Sequence, residues 1–167
     1  MDEGSVGLMT DTAFSVPASL RRADHVPRPI AIAYQALVVA LLAGIAETIA
    51  RVAIALDDSD VEPADLAIGL TTRCVLYAAV LFVAIRMTHG DRRARLLLTF
   101  GIGVVGLASL LIEPLTAALD ADDLGAILTG ATLDDLLVAT LRIVHILAVP
   151  IAVVAMYRPA ARAYFRR

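Results

Sequence analysis

The chain has 167 residues, 59% of them hydrophobic, with a formal net charge of −3 and a mean hydropathy of +0.80. A soluble domain carries about 45–50% apolar residues, and here the excess is gathered into long blocks instead of being spread along the chain. That pattern excludes an ordinary soluble globule and gives an expected all-α fold, an integral membrane four-helix bundle.

Residues 1–29 mix Gly, Ser, Thr, Asp and Pro without helical periodicity and read as a flexible N-terminal tail. With Asp2 and Glu3 and no early apolar core, this segment does not read as an ordinary secretory signal. The first apolar block, 30–56, places Ala33, Ala36, Ala40, Ala43, Gly44, Glu47 and Arg51 on one helical face. Val38, Leu41, Leu42, Ile45, Ile49 and Val52 fall on the opposite face, expected to meet lipid. An acidic loop, Asp57 to Asp65, leads tightly into the second block, 66–87, which carries Arg73 and the single cysteine, Cys74. One cysteine excludes an intrachain disulfide framework.

A short basic loop, "THGDRRAR", precedes the third block, 96–119. This block contains G-x-G-x-x-G at Gly101, Gly103 and Gly106, the written form of a dinucleotide-binding fingerprint. The context rules that reading out. A dinucleotide fold needs the glycines in a turn between strand and helix, then a second strand ending in an acidic residue. "LASLLIEPLTAAL", between Gly106 and Asp120, is too short to hold them. Projected as an α-helix, Thr99, Gly103, Gly106, Ser109 and Glu113 form a strip of small residues for close helix packing, while Gly101 points nearly the other way. The loop "DADDLGAILTGATLDD" follows and is expected to hold a short surface helix. The fourth block, 136–157, carries Arg142 and His145, and residues 158–167 form an Arg-rich tail.

Every basic residue other than histidine is an arginine. Arg21, Arg22 and Arg28, then Arg86, Arg92, Arg93 and Arg95, then Arg158, Arg162, Arg166 and Arg167 flank one set of span ends. The other loops hold only acids: Asp57, Asp58, Asp60, Glu62 and Asp65, then Asp120, Asp122, Asp123, Asp134 and Asp135. The positive-inside rule puts both termini and the middle loop in the cytoplasm. The basic segments are short and lack an aromatic stacking surface, so no nucleic-acid partner is expected.

Six ionisable residues lie within the apolar blocks: Glu47, Arg51, Arg73, Glu113, Arg142 and His145. Each such charge costs at least about 2.5–3.5 kcal/mol on insertion scales unless paired or hydrated. All six are expected in one band in the outer half of the bilayer, where they can pair. Glu47 and Arg51 are one turn apart, and Glu113 is expected against Arg73 or Arg142. Tyr77 follows Arg73 by one turn, and Asp135 precedes Arg142 by two. Two glutamates against three arginines leave one positive charge over, which an anionic ligand or a lipid head group would balance. His145 has no second intramembrane histidine to complete a bis-His haem site, and His25 and His89 lack zinc-ligand company. No cofactor or metal is expected, and no hydrolase, zinc-protease or P-loop motif points to an enzyme.

The edges "RPIAIAY" (Arg28–Tyr34) and "YRPAARAYFRR" (Tyr157–Arg167) resemble small, mostly uncharacterised four-span membrane proteins of high-GC actinobacteria. That resemblance implies a bacterial plasma-membrane location and carries over no activity. The expected function is a non-enzymatic membrane component whose charge layer fixes helix packing, with the bilayer and a second copy or another membrane protein as partners. The alternative is a small transporter or channel-like protein moving an anion or protons through the charge layer.

Overall fold

A computed structural model describes residues 26–57, 62–119 and 132–166. The expected N-terminal tail up to residue 25 and the expected surface helix in the 120–131 loop lie outside the described residues. Four helical stretches are long and apolar enough to cross a membrane. They begin with α1 (Arg28–Asp57) and α2 (Pro63–Thr88). The third stretch is compound: α3 (Arg92–Phe100), a π-helical turn (Gly101–Gly106) and α4 (Leu107–Leu119). The fourth is α5 (Leu133–Met156), and a short α6 (Pro159–Tyr164) follows it. Among the described residues there is no strand, and the three glycines of the apparent fingerprint sit within a helix.

Local chemistry sets the helix boundaries. α2 starts with proline in its first turn, where the missing N–H costs nothing. Asp91 caps α3, its Oδ1 accepting from the backbone N–H groups of Arg93 (2.8 Å) and Ala94 (3.3 Å). Thr132 and Asp135 form a reciprocal capping box at the start of α5. Asp135 is therefore engaged at the helix end.

The most extensive helix–helix contact joins α1 and α5. The small strip read from the sequence makes it possible: Ala33, Ala40, Ala43 and Gly44 on α1 are buried, as are Ala148, Ala152 and Ala155 on α5. Such small side chains let the two helix backbones approach closely. Leu42, Ile45 and Ile49 face outward as expected, but Leu41 is half-buried and turns toward the interior.

Among the described residues, the largest fully buried side chains, including Ile30, Leu37, Met87, Leu98 and Met156, lie in the half of the bundle nearest the termini. The segment after α5 completes this end. α6 folds back so that Ala161 and Phe165 join the core. The Arg95 guanidinium lies 4.8 Å from the Phe165 ring centre and 5.0 Å from that of Tyr157, a cation–π sandwich. Tyr164 donates from its hydroxyl to the Thr88 carbonyl at 2.9 Å and packs against Gly90, whose φ of +84° makes the tight turn between α2 and α3.

Candidate functional site

Toward the other end the helices part. α2 packs on α3 beside their connecting turn, but makes no comparable contact with the π turn or α4. All four spans line the resulting cavity, of about 460 Å³.

Five of the six predicted intramembrane groups line it or adjoin it. Glu47 is buried, and its Oε1 accepts from Arg142 Nε at 3.1 Å, Arg142 Nη2 at 2.9 Å and Arg51 Nε at 3.2 Å. Arg51 is the expected one-turn partner. Arg142 is one of the two arginines, with Arg73, that the sequence reading offered as a partner for Glu113. The Glu113 side chain lies outside the described residues, so its expected contact is not described either. Arg73 lines the cavity with its side chain exposed, and it makes no ion pair or hydrogen bond among the described residues. Glu47, Arg73 and Arg142 each stand nine or ten residues from the far end of their helix, a shared depth of about 15 Å at ~1.5 Å per residue.

A second polar set lies beside the ion pairs. Tyr77 donates from its hydroxyl to the Gly44 carbonyl at 2.9 Å and meets the Thr48 hydroxyl at 3.0 Å. Thr48 in turn bonds the same carbonyl at 2.9 Å. Gly44 is where this can happen, because a Cβ there would sit 3.1 Å from both the Tyr77 hydroxyl and the His145 ring. Tyr77 thus ties α2 to α1 instead of serving Arg73. The buried His145 Nδ1 has no hydrogen-bond partner among the described residues. Thr48 was missed in the sequence. Its signal was a polar pair, Glu47-Thr48, in an otherwise apolar span.

The π turn corrects the reading of the third span. In it the Leu107 N–H bonds the Ile102 carbonyl, five residues back, so residues five apart become neighbours and the α-helical projection loses its phase. Gly101 and Gly106 both line the cavity, with Ser109 beyond them. Gly101, expected to point away, has open space where a Cβ would be. Gly103 instead packs on α5, where a Cβ would lie 3.0 Å from Val153 Cγ2. The single small strip of the sequence reading is two surfaces. Thr99, nearer the termini, reaches Tyr157 at 3.3 Å.

Comparison with protein-family models, curated proteins and solved structures finds no match to this chain.

Proposed function

We propose that this protein is a multi-pass component of a bacterial plasma membrane, both termini cytoplasmic, that binds an anionic group at Arg73 in its outer-half cavity and carries out no catalysis. The observation behind this reading is a guanidinium lining a 460 Å³ cavity without an ion pair or hydrogen bond among the described residues. An arginine at membrane depth costs about 2.5–3.5 kcal/mol on insertion scales, and a bound anion offsets that cost. The cavity volume falls within the range of about 300–1,000 Å³ usual for ligand sites. Ile30, Met87, Leu98 and Met156, buried between the cavity and the termini, favour binding over passage through the bundle.

The Glu47 geometry supports a second, compatible role for the charge layer. One carboxylate oxygen holds an arginine of its own helix and one of α5, which fixes the register of α1 against α5. The two roles use different arginines.

The test uses the full chain in phosphatidylcholine nanodiscs, with inorganic phosphate and phosphatidic acid as probes. At least one probe is expected to bind, and Arg73→Gln to weaken it about tenfold or more, the scale of one charge-assisted contact. Because Arg73 is exposed, the variant should melt like the parent. Binding of neither probe in an Arg73-dependent manner would overturn the proposal. Glu47→Gln should lower stability by about 3 kcal/mol, the low end for breaking a buried pair, since the Arg51 side chain is 34% exposed and its share is screened.

A further inference from the structure

Resting on the anion site just proposed, we infer that its occupant is an anionic glycerophospholipid entering sideways from the bilayer, its phosphate on Arg73 and one acyl chain in the cavity.

The lining is graded along the membrane normal. At the far rim stand Arg73 and the Glu47–Arg142 pair; the floor, nearer the termini, is Leu37, Val80 and Ile102. A lipid of the outer leaflet has the same polarity order, head outward and chain inward. His145 lies one turn closer to the termini than Arg142, and its Nδ1 has no partner among the described residues. A phosphate drawn down to Arg73, about 15 Å below the far helix ends, would place its ester oxygens at about this level. An exposed arginine can extend its guanidinium outward on its aliphatic stem, which shortens the distance the phosphate must descend.

The route is sideways because the wall between α2 and the third span is open. The two touch beside the α2–α3 turn and separate beyond it. Leu76 and Val105 line the cavity and are still 57% and 67% exposed, so the same side chains face the surroundings. In a bilayer those surroundings are acyl chains. A chain entering from lipid gains no hydrophobic free energy; it restores the dispersion contacts that the walls of a void lack. Selection therefore falls on the head group, which is the Arg73 contact. A small water-soluble anion would use the rim and leave the apolar floor empty.

The experiment uses the full chain in phosphatidylcholine nanodiscs containing a minor fraction of phosphatidic acid, with lipid retention read by native mass spectrometry. One phosphatidic acid per chain should be retained over phosphatidylcholine. Arg73→Gln should reduce retention about tenfold, Arg73→Lys should restore part of it, and excess inorganic phosphate should not displace the lipid. Gly101→Leu, placing a side chain where no atom lies within 4 Å, fills the space the acyl chain needs. It should lower retention about as much as Arg73→Gln with no loss of melting temperature. Phosphatidic acid retention that neither variant changes would place the lipid elsewhere and overturn the inference. Arg73-dependent binding of inorganic phosphate, insensitive to Gly101→Leu, would overturn the lipid while leaving the anion site standing. Absence of Arg73-dependent binding by either probe would remove both.

Discussion

The half of the bundle nearest the termini and the half beyond it use the same four helices and solve opposite problems. Near the termini, large apolar side chains and an aromatic–arginine stack close the space between helices. Beyond, the Glu47–Arg142 pair joins α1 to α5, while α2 and the third span diverge around charged groups. Close apolar packing is concentrated at one end, and the charged groups at the other. A cavity with an arginine on its wall is a poor way to hold helices together, so the packed end must supply the anchorage that lets the open end persist.

The strongest way to break this contrast is Phe165→Ala. The ring is 2% exposed and closes the packed end under Arg95, so its loss should cost about 3 kcal/mol, within the usual range for a core phenylalanine. Thermal unfolding in detergent measures it, and a loss near zero would show that the segment after α5 is not part of the scaffold. A sharper comparison sets two glycines of one helical turn against each other. Gly103→Leu drives a side chain into Val153 and should cost about 1–3 kcal/mol. Gly101→Leu meets open space and should not lower the melting temperature, since leucine has the higher helix propensity by up to about 1 kcal/mol. Equal effects would mean that the π turn does not set the phase of this span.

The smallest effect concerns the turn at the packed end. Asp91 is held below its ordinary carboxylate value of 3.8 chiefly by the Ala94 N–H, with the Arg93 N–H and Arg86 beside it acting in the same direction. A carboxyl lowered in the folded state contributes stability that is complete above its ordinary value. That contribution disappears as pH falls through the lowered one. The melting difference between the parent chain and Asp91→Asn should therefore be present at neutral pH and shrink below about pH 4. A difference independent of pH would assign the cap no ionic component.

Much of the architecture was legible in the residues. Four apolar blocks of spanning length, the small face of α1 and the Glu47–Arg51 pair are local patterns, and helical periodicity suffices to draw them. The common depth of Glu47, Arg73 and Arg142 was equally legible by counting from the helix ends. The pairing Arg142–Glu47 was not, because it joins residues 95 apart in the chain and depends on which helices neighbour one another. The three glycines misled in an instructive way. Their positions were read at a constant angle per residue, and the π turn changed that angle within the motif.

The sequence by itself determined that four apolar helices form, where arginine and acid segregate, and which charges fall within the apolar stretches. These follow from composition and from backbone hydrogen bonding, which in an apolar medium leaves helices little alternative. Only the tertiary structure decided that α1 and α5 would share one carboxylate among two arginines, that α2 would swing away from the third span, and that Arg73 would line the cavity left between them. Those outcomes depend on side-chain volume summed across helices far apart in the chain, a quantity that no local pattern contains.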